Sequence, residues 1–390
     1  MPFLTLPNEI LLEICTSPLE GLLKPALRRQ ILKRRSHKFC RRAIYHAAER
    51  QDHPTVKLLL ESGVLDIVKR GRWLLNHAVC SLSEEGLTTL LACGVDPNTP
   101  DGRGRTPLIC ATAGRLSGAV RALLADARVE VNWTWIPPDF TALHLAVWNG
   151  FDDIVKLFLA CPRTAVNLVQ NARGPMTDGS NNRALGTFVG ERIFGVEVAL
   201  RSGWAPIHGA VVRKDPKILI ILLQDERVDV NILSCERETP LFLAVKFHNK
   251  LAVRLLLAIA KNRAPLAIDG ILHMAVPWAG TSMVEILLQD SRVDVNWTNH
   301  DQRTALHIAA SVYRVDLIRL LLNHKKIDVG KFDERESSAR DLVLPDLPAV
   351  ARWFTVRQIL DNKGMAYLDP ATDIEQGGWK LNFSIFLGSV

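Results

Sequence analysis

The stretch Thr304-Ala305-Leu306-His307-Ile308-Ala309-Ala310, continued by Val315-Asp316-Leu317-Ile318-Arg319-Leu320-Leu321-Leu322, decides the fold. A Thr whose hydroxyl can cap a helix, a small residue at the first helical position and apolar residues three to four apart predict a short helix buried on one face. The second helix ends in a triple Leu. Together they make a pair of short antiparallel helices that cannot bury its apolar face alone.

The pattern recurs along the chain. The residue after the capping position falls at Ala43, Leu74, Pro107, Ala142, Pro206, Pro240, Ile271, Ala305 and Ala339, in steps of 31, 33, 35, 64, 34, 31, 34 and 34 residues. About fifteen residues after most of these marks comes an apolar triplet such as Leu157-Phe158-Leu159, Ile221-Leu222-Leu223, Leu255-Leu256-Leu257 or Ile286-Leu287-Leu288. Near-identical turns sit between units: Arg128-Val129-Glu130-Val131-Asn132, Arg227-Val228-Asp229-Val230-Asn231 and Arg292-Val293-Asp294-Val295-Asn296. The unit resembles the ankyrin repeat, whose signature is T-P-L-H-x-A at a period of 33 residues. The resemblance implies an all-α ankyrin-repeat solenoid of about nine helix-turn-helix units, with one long loop or strand insertion and a short strand-like carboxy-terminal tail. Each unit would touch only its neighbours.

The expected organisation is residues 1–41 as an amino-terminal element and basic segment, 42–360 as repeats, and 361–390 as a tail. No apolar run reaches the roughly 18 residues of a membrane span, and Glu9 and Glu13 stand where a signal peptide would be basic. The expected setting is intracellular, in cytoplasm or nucleus, with no membrane partner and no cofactor, as a monomer. Seven Cys, at 15, 40, 80, 93, 110, 161 and 235, form no C-x-x-C pair and read as reduced, buried thiols.

At the amino terminus, Pro7 opens an amphipathic helix with Leu6, Ile10, Leu11 and Ile14 on one face. The stretch Leu6-Pro7-Asn8-Glu9-Ile10 resembles the start of an F-box, which implies docking on the adaptor of a cullin ubiquitin ligase. Pro18, Gly21 and Pro25 then interrupt the F-box pattern, which leaves capping of the first repeat as the other reading. A basic run follows: Lys24, Arg28, Arg29, Lys33, Arg34, Arg35, Lys38, Arg41 and Arg42, with no acid among them. Without these nine, 39 bases face 41 acids, so the run carries the whole charge excess of +7. It reads as a solvated helix face, a nuclear-import signal or a phosphate-binding patch. With Phe39 its one aromatic, it lacks the stacking platform that single strands prefer, so nucleic acid is a possible partner but not the favoured one.

His144, His208, His273 and His307 hold the fourth position of the repeat signature, a structural place where the ring bonds the backbone of its own repeat and the next. Arg42, Trp73, Ala205 and Gly270 lack the capping hydroxyl, which predicts softer second, fifth and seventh units. The 64-residue step leaves an insertion, 168–202, that starts Gly-rich and polar and ends apolar with Phe188, Ile193 and Phe194. Insertions of this kind in repeat arrays map to loops, often on the binding face. Trp133, Trp135, Trp148, Trp204, Trp278 and Trp297 lie near turn tips or the ends of first helices, and with Phe188, Ile193 and Phe194 they are the candidate anchors for a protein partner on the concave face. In the tail, Trp379 to Ile385 alternates apolar and polar as a half-buried strand does.

None of the usual catalytic or metal signatures occurs: no G-x-x-x-x-G-K-[ST], H-E-x-x-H, G-x-S-x-G or zinc spacing. The favoured reading is a protein-interaction scaffold, in a finer form a substrate-recruiting subunit of a cullin-type ubiquitin ligase; the F-box and ankyrin sets of filamentous fungi are similar. Nuclear or nucleic-acid binding through residues 24–42 is the second reading. An enzyme with an active site built around 168–202 is the third.

Overall fold

A computed structural model describes residues 37–61, 74–135, 140–169, 203–213, 215–259, 268–343 and 348–362. Among them lie nine helix pairs. The first helices are α1 His37–Glu49, α3 Leu74–Ala78, α5 Pro107–Ala113, α7 Ala142–Asn149, α9 Pro206–Val212, α11 Pro240–Lys246, α13 Ile271–Ala275, α15 Ala305–Ser311 and α17 Ala339–Val343. The second helices are α2 His53–Glu61, α4 Glu84–Ala92, α6 Ser117–Ala125, α8 Asp152–Ala160, α10 Pro216–Gln224, α12 Lys250–Ile259, α14 Thr281–Leu288, α16 Val315–Leu322 and α18 Pro348–Asn362. Eight of the nine first helices begin at the residue the period marks. The exception is α1, which starts at His37, so Arg42 lies inside a helix and has no capping place to fill. Two isolated bridges, Trp135 with Phe140 and Phe332 with Ser338, are the β pairing among the described residues.

Local chemistry accounts for the boundaries. Thr106, Thr141, Thr239 and Thr304 accept the backbone N–H of the third helical residue, which satisfies one of the donors a helix start leaves open. Pro107, Pro206 and Pro240 sit at the first helical position, where the missing N–H costs nothing. In the seventh unit Gly270 stands at the N-cap in the left-handed region (φ 70°), and α13 has five residues. The fifth unit has no hydroxyl at its N-cap. There the Ala205 N–H donates to His208 Nδ1 at 3.0 Å, and α9 keeps seven residues, as many as the Thr-capped α5 and α11.

The chain divides into two compact units, Met1–Arg237 with the first five pairs and Glu238–Val390 with the other four. In each, the middle residue of the apolar triplet is the most deeply sequestered: Leu90, Leu123, Phe158 and Leu222 in the first unit and Leu256, Leu287 and Leu321 in the second have no exposure. Neighbouring pairs are joined through their turns by a side-chain ladder. Asn98 donates to Arg128 O and accepts from the Glu130 N–H, both at 2.8 Å; Asn132 does the same with Arg163 and Ala165. Asn296 repeats the bridge with Lys326 and Asp328 in the Glu238–Val390 unit. Arginines add a second tie. Arg128, Arg163 and Arg227 donate to the carbonyls of Leu91, Leu124 and Leu159 at the end of the preceding second helix. Arg292 and Arg357 do so to Leu257 and Leu322. A cation on carbonyls that have no partner within the helix both satisfies them and opposes the negative end of the dipole.

The same ladder passes the insertion. Asn167 donates to Arg227 O at 2.7 Å and accepts from the Asp229 N–H at 2.9 Å, so the fourth and fifth turns bond directly. Replacing Asn167 by Ala is expected to cost about 1–2 kcal/mol through the two lost bonds, read as a lower urea midpoint. An unchanged midpoint would show that the bridge carries no net energy. Residues 170–202 lie outside the described residues. Excising 171–200 and closing the gap with a short Gly-Ser link is expected to shift stability by less than about 1 kcal/mol, because the Asn167 bridge and the Arg227–Leu159 tie between the fourth and fifth pairs are kept. A collapse of the urea transition after excision would contradict this.

Candidate protein-interaction surface

The signature histidines are spent on structure. In the fourth unit the Thr141 N–H faces His144 Nδ1 at 3.4 Å and the hydroxyl lies 2.8 Å from it, while Nε2 is 3.1 Å from Trp204 O. Nδ1 therefore accepts and Nε2–H donates, which fixes the neutral tautomer. His208 repeats this with Ala205 and Ile232, and His273 reaches Arg303 O at 2.6 Å. Tyr45 and Asn76 hold the same place in the first two units and reach across in the same way, to Leu74 O at 2.7 Å and Arg105 O at 2.8 Å. Burial pushes the His144 ring down to about 4 and lowers His273 and His307 as well. It pushes the Tyr45 hydroxyl up. Among the described residues no three His, Cys, Asp or Glu side chains gather as a metal site.

The tryptophans proposed as anchors separate into three groups. Trp135, Trp148 and Trp204 are buried, at 3%, 8% and 2% exposure, which corrects their assignment to a partner surface. Trp148 and Trp204 pack on each other with ring centroids 6.3 Å apart. Trp135 donates its indole N–H to Arg103 O at 2.8 Å, and its ring lies over Gly104, where a Cβ would be 3.6 Å away. Trp133 and Trp297 are half-buried. Trp297 stands edge-on to His273 at 4.7 Å and closes over Gly270, where a Cβ would sit 2.9 Å from its ring. Trp133 lines an open groove of about 670 Å³ with Arg128, Glu130, Asn132 and Arg163. Trp278 alone is well exposed, at 77%.

Sequence reasoning missed the company Trp278 keeps. In the Glu238–Val390 unit, the residues seven beyond the first three period marks are Phe247, Trp278 and Val312; the residues three beyond include Met274 and Ile308. Met274, Val312 and the adjoining Tyr313 are exposed at 47%, 45% and 46%. In the Met1–Arg237 unit the positions matching Trp278 hold Arg50, Ser81, Gly114, Asn149 and Arg213. One unit thus shows an apolar stripe along the carboxy-terminal ends of its first helices where the other shows polar or small residues. Comparing the same place in successive repeats would have revealed it.

Leu6, Pro7, Ile10, Leu11 and Ile14, the basic residues Lys24 to Arg35, and Phe188, Ile193 and Phe194 lie outside the described residues, as does the tail beyond 362. Of the basic run, Lys38, Arg41 and Arg42 fall on α1, with Arg41 half-buried and Arg42 exposed. Six Cys are described and none of them forms a disulfide among the described residues. Cys40 and Cys161 are buried as expected, but Cys80 and Cys235 are exposed because they stand in turns rather than on apolar helix faces. Among the described residues no helix is long and apolar enough to cross a membrane.

A family model described as ankyrin repeats matches residues 83–170 and 272–339. Inversin from Canis lupus familiaris is 27% identical over 270 residues, which cover 66% of this chain and 22% of that protein. An ankyrin repeat protein of Acanthamoeba polyphaga mimivirus is 31% identical over 127 residues, covering 32% of this chain and 16% of the relative. The chain thus spans less than a quarter of the length of these relatives. The ankyrin repeat domain of Bcl-3, titled a unique member of the IkappaB protein family, superposes with a TM-score of 0.51 at 22% identity, over 65% of this chain and 99% of that domain. The fold is the all-α ankyrin-repeat fold.

Proposed function

We propose that this ankyrin-repeat chain, whose repeats make it a protein-interaction scaffold, takes its partner on the exposed side of α11, α13 and α15. The observation that carries this reading is the stripe of Met274, Trp278, Val312 and Tyr313 left in solvent. Contiguous apolar patches on a folded surface mark interaction sites, and Trp concentrates binding energy once buried. The chain acts by binding and not by catalysis: His144, His208 and His273 are committed to hydrogen bonds that hold the repeats together. A photo-crosslinking residue placed at position 274, irradiated in source cells, is expected to trap a defined protein. The same probe at Leu233, exposed at 44%, serves as the control. Equal labelling from both positions would remove the surface from consideration.

The finer reading makes the scaffold a substrate-recruiting subunit inside the cell, with Leu6, Pro7, Ile10, Leu11 and Ile14 docking on a cullin-ligase adaptor. It is supported by the Leu-Pro-x-Glu-Ile pattern. Adaptor capture is expected to be lost with Ile10→Asp and Leu11→Asp, and capture that persists in both would exclude this role.

A further inference from the structure

Resting on the interaction reading, we infer that the occupant of the Glu238–Val390 stripe is an amphipathic α-helix with an acidic flank, laid across α11, α13 and α15. The argument is one of spacing. The half-buried Phe247 and the exposed Trp278 and Val312 occupy the same repeat position, just beyond the carboxy-terminal ends of three successive first helices. Helices packed side by side stand about 10 Å apart, so the stripe offers an apolar contact roughly every 10 Å along the direction of stacking. A helix rises about 1.5 Å per residue, and residues i, i+7 and i+14 share one face at intervals of about 10.5 Å. It can therefore meet all three contacts in register.

An extended segment cannot. Its same-face residues recur about every 6.6 Å, so at about 10 Å the next side chain points away from the surface. A helix of about 15–18 residues, with apolar side chains at i, i+3 or i+4, i+7 and i+14, covers the stripe from Phe247 to Val312. Helix-in-groove recognition uses anchors of this spacing.

Charge fixes the flank. The hairpin joining α11 to α12 carries Lys246, His248 and Lys250, all exposed, and no acid. Lys246 runs back over the Phe242 ring to Glu238 at 2.5 Å. Lys250 is exposed and takes part in none of the ion pairs among the described residues. The hairpin between α13 and α14 has no charged residue, and in the next hairpin Asp316 is held by Arg314 at 3.2 Å. The uncompensated charge beside Phe247 is positive, so the helix carries Asp or Glu next to its first apolar anchor. The Lys246 stem and the Phe242 ring offer further apolar surface to that end of the helix.

The test is a phage-displayed library of randomised 18-residue peptides, selected on the full chain and counter-selected on full-chain Trp278→Ser. That substitution changes a side chain 77% exposed, so folding should be kept, checked by an unchanged melting curve. Enriched peptides should show apolar residues in heptad spacing and an excess of Asp and Glu. A synthesised winner should weaken at least tenfold on Trp278→Ser and about threefold or more on Lys250→Glu. The proposal is overturned by a library that yields no enrichment over Trp278→Ser, by winners with alternating apolar residues, or by a winner indifferent to Lys250→Glu. It is also overturned if size exclusion shows a dimer that Trp278→Ser dissociates, since a second copy would then cover the stripe. A protein cross-linked through position 274 alongside a failed peptide pattern would leave the interaction reading standing and remove only the helix.

Discussion

Trp204→Ala should lower the unfolding free energy by about 3–5 kcal/mol, whereas Trp278→Ala should move it by less than about 0.5 kcal/mol. The two tryptophans look alike in sequence and sit at opposite extremes of exposure, 2% and 77%. Trp204 lies two residues before the first helix of its repeat, and its carbonyl accepts from His144 Nε2 at 3.1 Å. That bond pins the preceding loop, and the indole packs on Trp148 between the fourth and fifth pairs. Truncation leaves a void between two repeats whose stability depends on contact with each other. The urea transition of Trp204→Ala should therefore broaden as well as shift, because coupling between the fourth and fifth pairs weakens. Circular dichroism of full-chain variants in urea measures both quantities. A loss under 1 kcal/mol for Trp204→Ala would mean that the indole is not part of the core.

The contrast shows where sequence reading succeeds and where it stops. Helix starts were legible because their cause is local: a Thr hydroxyl at 106, 141, 239 or 304 meets an N–H three residues on, and Pro107, Pro206 and Pro240 have only one comfortable place in a helix. Local logic misled at the buried tryptophans, whose environment is set by the next repeat. The three Arg-Val-x-Val-Asn turns were visible as a rhythm. Their work was not, since Asn167 bonds a turn 60 residues later and Arg227 caps a helix in the preceding repeat. A signal was nonetheless present: Asp126, Asp225 and Asp290 each stand two residues before the clamping Arg and bind it at 2.6 Å. A carboxylate that orients a guanidinium near the end of a helix is a recognisable arrangement.

Acid should weaken the Met1–Arg237 unit in two stages, the first of them set by His144. Its ring is buried and neutral, with its acidity shifted from 6.5 to about 4, chiefly by burial and against the hydrogen bond to Trp204. Protonation would also place a second N–H at Nδ1, which already faces the Thr141 N–H and hydroxyl. The unfolded chain binds the proton more readily than the folded one. The stability that the neutral ring contributes is therefore complete above pH 6.5 and declines as pH falls from there to the folded value near 4, where the loss levels off. The loss across that window is about 3 kcal/mol. His273 and His307 are shifted downward for the same reason and act in the same direction within the Glu238–Val390 unit. The second stage lies lower. The hydrogen bond from Arg128 holds the Asp126 carboxyl below its usual 3.8, so this contribution is present above that value and disappears beneath it. Urea unfolding of the full chain at intervals from pH 7.5 to about 2.5, set beside the same series for His144→Gln, separates the terms. The Gln variant should be less stable at pH 7.5 yet less sensitive to acid, so the gap between the two curves should close by about 3 kcal/mol at pH 4. Parallel curves would show that His144 titrates equally in both states and that the acid response comes from elsewhere.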